Sequence, residues 1–168
     1  MKKYIMFFTF ICIVISFCAS CNTAKRSPIH EIIKDFQYEV TDGTLVQVEE
    51  GDGVWVVEPF TVISNSMTIL TYSENSGWQL NDTQQIGIDC DLENFSEDFK
   101  GNFFLGNIKD HCQNSAIPIN DAHLRISMSF GAEGEYYIYF MNTSPKDITV
   151  SNLELWIQDE GKMDKYIF

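Results

Sequence analysis

Between Thr44 and Ile157 the apolar residues come in short runs, and each run is closed by turn-forming residues. The breaks fall at residues 73–77, Asn81-Asp82, 131–134 and 142–146, all rich in Asn, Asp, Ser and Gly. A helix needs a longer uninterrupted period, so this punctuation selects strands. Residues 45–50 and 54–60 flank Gly51-Asp52-Gly53, a hairpin signal. Residues 67–72 form a β-branched apolar run. In residues 85–90, Ile86, Ile88 and Cys90 alternate onto one face, and residues 103–108 form a further strand. Leu124, Ile126, Met128 and Phe130 are expected to point inward, with Arg125, Ser127 and Ser129 outward.

Residues 135–141 are apolar on both faces. Residues 147–157 change phase, with Ile148 and Val150 followed by Leu153, Leu155 and Ile157. A bulge near Ser151-Asn152 accounts for that switch. Many short strands with no long helix between them argue for a mainly β fold: an antiparallel sandwich, jelly-roll-like, with a barrel as the alternative. Ahead of the strands, Ser27-Pro28 is a helix-start signal, and Ile29, Ile32, Ile33 and Phe36 follow at helical spacing. A short N-terminal helix of two or three turns is the expectation there.

The first twenty residues have a different character. Lys2 and Lys3 precede an apolar run from Tyr4 to Phe17, and the small residues Ala19 and Ser20 lead to Cys21. This is the layout of a secretory signal peptide, since a spanning helix needs about 20 apolar residues. Cys18-Ala19-Ser20-Cys21 resembles the lipobox of bacterial lipoproteins, although Cys18 stands where that family usually carries an aliphatic residue. The resemblance implies a lipid on Cys21, a membrane anchor, and a domain facing the periplasm or the cell exterior. The chain then divides into a leader (1–20), a tether (21–28) and a β-sandwich domain (29–168).

Removing Lys2 and Lys3 with the leader, which holds no acidic residue, takes the net charge from −13 to about −15. A surface this acidic repels nucleic acid and suits solubility, a basic partner or divalent cations. Cys12 and Cys18 leave with the leader, so Cys90 and Cys112 remain as an even pair in an oxidising compartment. A disulfide between them is expected, worth roughly 3 kcal/mol by the chain-entropy model. A zinc site at His111-Cys112 is the weaker option, because four ligands at recognisable spacing are missing.

No GxSxG, HExxH, P-loop or GxGxxG motif occurs, and His30, His111 and His123 stand alone in the sequence. The expectation is a non-enzyme with no cofactor. Asp89, Asp91 and Glu93, with Glu97 and Asp98 beyond, form the densest acidic stretch. They are weak calcium candidates, against a solvated loop. Trp78, Tyr137 and Tyr139 are candidates for stacking on a ligand ring. Residues from Ser76-Gly77-Trp78 to Leu155-Trp156 loosely resemble extracellular β-sandwich binding modules. That resemblance implies binding rather than catalysis. The leading expectation is an envelope lipoprotein presenting a sandwich to an unknown protein or glycan partner. A carbohydrate-binding module, a lipid carrier and a hydrolase of unrecognised type are the alternatives.

Overall fold

A computed structural model describes residues 28–34, 42–50, 53–72 and 75–159. The leader, Cys21, the tether ahead of Pro28, Phe36 and the Gly51-Asp52 pair lie outside the described residues. Among the described residues twelve strands run in chain order: β1 (Asp42–Gln47), β2 (Glu49–Glu50), β3 (Trp55–Val57), β4 (Phe60–Val62), β5 (Ser66–Thr71) and β6 (Trp78–Leu80), then β7 (Gln84–Glu93), β8 (Phe103–Lys109), β9 (Cys112–Pro118), β10 (His123–Ser129), β11 (Gly134–Asn142) and β12 (Ile148–Asp159).

They form two packed sheets, not closed into a barrel. The first has the order β1-β5-β11-β8-β9, with β6 also on β11; the second has β10-β7-β12-β3-β2, with β4 also on β12. The pairing nests first with last. β3 and β4 pair with β12, β5 with β11, β7 with β10 and β8 with β9, all antiparallel. This is one long antiparallel ribbon rolled up, and the β12–β7 and β11–β8 pairings stitch it into sheets. It is the eight-strand jelly-roll arrangement, with two of its strands interrupted. Pro59 lies in the break between β3 and β4, as expected of a residue with no ladder N–H to give.

Three departures from the sequence expectations have physical causes. Residues 45–50 are not one strand, because the chain changes sheets at Val48. Val48 is buried and its N–H donates to Thr71 O, so β1 stays in the first sheet and β2 pairs with β3 in the second. β1 runs parallel to β5, the exception to the antiparallel pattern among the described pairings. The expected N-terminal helix is a single 3-10 turn, Pro28–Glu31, with Lys34 already in a bend.

Between the sheets lies the main core, with Ile86, Ile88, Leu105, Tyr136, Ile138, Phe140, Val150 and Leu155 among its members. The phase switch in β12 is a bulge: the register with β7 shifts between Ser151 and Glu154, and Asn152 takes φ 49°. That extra residue lets Val150 and Leu153 both face inward.

A second apolar cluster lies outside the sandwich, on the outer face of the first sheet. It joins Ile29, Ile32 and Ile33 to Met67, Ile69, Ile108, Tyr139 and Met141. Residues 28–34 thus act as a strap across that face. Gly43 leaves the space that the Ile29 side chain fills. His111 clamps the strap's far end: its carbonyl accepts from Lys34 N at 2.9 Å, and its Nδ1 lies 2.9 Å from Ile32 O.

Candidate functional site

The two outer faces differ in kind. On the first sheet, β11 sends Tyr137, Tyr139 and Met141 outward while Tyr136, Ile138 and Phe140 face the core. The strap covers that outward row. Tyr139 is 0% exposed and its Oη donates to Ser115 O at 2.7 Å. Gly106 sits directly opposite, where a Cβ would collide with Ser115 O and the Tyr139 ring. Tyr137 is half-buried, and burial first, then the Glu135 charge, raises its phenol pKa.

Of the three stacking candidates, Tyr139 is therefore core. So is Trp78, at 2% exposed on the inner side. Neither ring offers a face to a ligand, because each already packs against protein on both sides of its sheet position. Trp78 instead joins an aromatic trio at one end of the sandwich. Trp55 meets it edge-on with centroids 6.2 Å apart, and Tyr72 stacks on it at 6.5 Å. The indole N–H groups of Trp55 and Trp78 are buried there without a hydrogen-bond partner.

The cysteines also fall differently from expectation. Cys90 points inward from β7 into the main core, whereas Cys112 is exposed at the start of β9 in the other sheet. Both thiols are free, so the disulfide expected from the even count is not formed. Burial, then the charges of Asp89 and Asp91, pushes the Cys90 thiol up to about 12, which makes it an inert core residue.

The outer face of the second sheet carries the polar constellation. β7 continues to Glu93 as a strand, so the acidic stretch begins on a sheet and not in a loop. The register sets His123 opposite Asp91 and Arg125 opposite Asp89. His123 Nδ1 lies 2.9 Å from Asp91 Oδ1 and its Nε2 lies 3.5 Å from Asp89 Oδ1. Arg125 Nη1 is 3.5 Å from Asp89 Oδ2. The β12 bulge presents Asn152, whose Nδ2 donates to Asp91 Oδ2 at 2.8 Å. The Asn152 and His123 hydrogen bonds, in that order, lower the Asp91 pKa. The Asp91 hydrogen bond raises that of His123.

This network answers the calcium expectation for Asp89, Asp91 and Glu93. Two of the carboxylates are taken up by cationic or amide partners, and Glu93 is exposed at the strand's end. Among the described residues no group of three His, Cys, Asp or Glu side chains is arranged to hold a metal ion. His123 thus has a carboxylate near each ring nitrogen, the closer one Asp91.

One aromatic ring belongs to this face. Trp156 pairs with Gly87 and lies flat across it, in space a Cβ would occupy. Its Nε1 donates to Gln158 Oε1 at 3.0 Å, and Gln158 Nε2 donates to Ser127 Oγ at 3.1 Å. Beside them Glu154 sits between Asp89 and Val56, and Val56 is 57% exposed. The face is thus a hydrogen-bonded array of donors and acceptors with an apolar spot at its β3 border. The sequence reading put Asn152 in a bulge and Trp156 among the aromatics, without making either a site residue; the β12 phase switch and the Gly87–Trp156 size complementarity were the available signals.

No family model and no curated protein sequence matches the chain. Several solved structures show remote likeness, three of them as follows. The pre-peptidase C-terminal domain of a collagenase from Bacillus anthracis has a TM-score of 0.42 at 12% identity, covering 74% of this chain and 100% of that one. A mutant of a periplasmic inhibitor of g-type lysozyme from Escherichia coli has 0.40 at 13% identity, covering 69% and 99%. A β-glucosidase from Paenibacillus barengoltzii has 0.26 at 12%, covering 72% of this chain and 14% of that one. These likenesses are too remote to bear on what the chain binds or does.

Proposed function

We propose that the chain is a non-catalytic envelope lipoprotein, held to a membrane through a lipid on Cys21, that presents its β-sandwich to a protein partner or an envelope component. The observation that carries the reading is the contrast between the faces. One outer face is sealed by the chain's own strap. The other is an exposed, pre-ordered polar surface on a strongly acidic protein. Such a surface gains little from folding alone and suits electrostatic recognition of a basic partner. A glycan-stacking reading loses two of its three rings to the core.

The test is fractionation. Cys21→Ala is expected to move the domain from membranes to the soluble fraction, because the acyl chains are the main source of membrane affinity. A Cys21→Ala protein that stays with membranes through a carbonate wash would remove the anchor from the account. For the binding role, cross-linking of an envelope protein to a label at Val56 that falls as salt is raised before the cross-linker is added would support it. Capture that is indifferent to salt would contradict the electrostatic part.

A further inference from the structure

We infer that β10 is a self-pairing edge: two copies of the chain join antiparallel along it, about a two-fold axis at Ile126, and fuse their second sheets into one.

The sheet edges are not equally protected. An unpaired strand edge is a template for another strand, and proteins blunt such edges with short strands, bulges, Pro or charge. β2, β4 and β6 are two or three residues long, and Pro59 breaks the border between β3 and β4. β9 ends on Pro118, and its register with β8 shifts. β1 opens on Asp42-Gly43, both poor strand formers. β10 has none of these devices. It runs seven residues without Pro, Gly or Lys and keeps one register with β7 throughout. Among the described residues no strand pairs on its other side. Its two cations do not guard the edge either, because Arg125 and His123 are held to Asp89 and Asp91 on β7, away from it.

The flank beside this edge is apolar. Leu124, Ile126 and Met128 pair with Cys90, Ile88 and Ile86, so they face the core. Leu124 and Ile126 are nevertheless only half-buried, with no strand beyond them. Residues 119–122 alone carry the chain from β9 to β10, so both edges border the same flank. There Ile117, opposite the core residue Leu105 on β9, is 43% exposed.

The residue order fits a second copy. With Ile126 on the axis, position 125 of one copy faces 127 of the other, 124 faces 128 and 123 faces 129. Every inner pair is then apolar: Ile126 on Ile126 and Leu124 on Met128. Every outer pair sets a cation against a hydroxyl: Arg125 on Ser127 and His123 on Ser129. No like charges are directly opposed, which would weaken a cross-strand pair. Centring on Arg125 would set two guanidinium groups together, and centring on Ser127 would leave His123 facing Gly131, beyond the strand. The axis stands perpendicular to the sheet, so the two His123–Asp91–Asn152 arrays lie on one outer face. The presented face is thereby bivalent.

The test uses the full chain in mild detergent, followed by density-matched sedimentation equilibrium over a wide concentration range. The wild-type chain is expected to approach twice its monomer mass. Ser127→Lys sets an ammonium against Arg125 of the other copy, twice by symmetry, and should weaken association about tenfold. Ser127→Glu sets a carboxylate there and should strengthen it about tenfold. Ser127 is exposed, so both variants are expected to keep the fold. On a chain of net charge −13 a general charge effect runs the other way, since Lys lowers the repulsion between copies and Glu raises it. A short bis-maleimide reads the register in a Cys112→Ser background. Ser127→Cys, about 7–8 Å from its mate across the diagonal, should cross-link, whereas Ser129→Cys, about 20 Å from its mate, should not. A monomer at every concentration, or a dimer indifferent to both charge variants, would overturn the self-pairing edge. A dimer that cross-links through position 129 and not 127 would overturn the axis at Ile126.

Discussion

The two outer faces of this sandwich are built from the same kind of ribbon and have opposite fates. On the first sheet, apolar side chains point outward and a local segment covers them. On the second, the outward positions are mostly polar and in contact with solvent, apart from the buried Trp156. The difference lies in which residues alternate with the core. β11 alternates Tyr, Ile and Phe with Tyr and Met, so both of its faces must be buried. β10 alternates Leu, Ile and Met with His, Arg and Ser, so one face can stay wet. The strap is the consequence of the first pattern, and the ionic array is what the second permits.

Stability should therefore reside on the covered side. Ile33→Ala removes a fully buried strap residue and is expected to cost about 2–5 kcal/mol in denaturant unfolding. A loss well below that range would mean the strap is not part of the cooperative fold. Gly106→Ala pushes a methyl group toward the Ser115 carbonyl and the Tyr139 ring. Backbone cannot yield easily, so about 1–3 kcal/mol should be lost.

Gly87→Ala sharpens the comparison, because its obstacle is the Trp156 indole on the open face. The ring, buried and held by Gln158, must lift toward solvent, so the cost should be about 1 kcal/mol, at the low end for overpacking, with tryptophan emission shifted to the red. Asp89→Asn removes a half-exposed partner of His123 and Arg125. It should change stability by about 0–1 kcal/mol while weakening any salt-sensitive partner binding.

The smallest effect is a pH dependence. The raised pKa of His123 means that its contribution is complete below the ordinary value of 6.5 and fades as pH rises through the folded value. The lowered pKa of Asp91 means that its contribution is complete above 3.8 and fades as pH falls through its own folded value. Their interaction is thus strongest between those two ordinary values. In an NMR titration, Asp91→Asn should bring the His123 midpoint back down. An unchanged midpoint would show that Asp89 or another group holds the imidazole.

Much of the fold was legible because its signals are local. The β10 alternation and the phase switch at Ser151-Asn152 appear in the structure at the expected place, and β2 and β3 pair antiparallel on either side of the expected turn. β6 was missed as a strand because it has three residues, and β9 because Gln113, Asn114 and Ser115 give it no apolar period. The parallel β1–β5 pair depends on a sheet change at Val48 that alternation does not encode.

The candidate site was less legible, and for a related reason. Tyr137 and Tyr139 do face outward, but whether an outward ring meets solvent depended on a segment about a hundred residues earlier. An even cysteine count carries no information on which sheet each thiol occupies. The acidic stretch was visible by composition, whereas its pairing with His123, Arg125 and Asn152 needed the register of three strands.

Hydroxyl-radical footprinting of the intact chain, read residue by residue, tests the contrast between the faces most directly. Met67, Met141 and Tyr139 beneath the strap should be protected, while His123 and Val56 are modified readily. If Met67 and Met141 are oxidised as fast as the His123 face, the strap does not seal the first sheet, and the division into one covered face and one presented face falls.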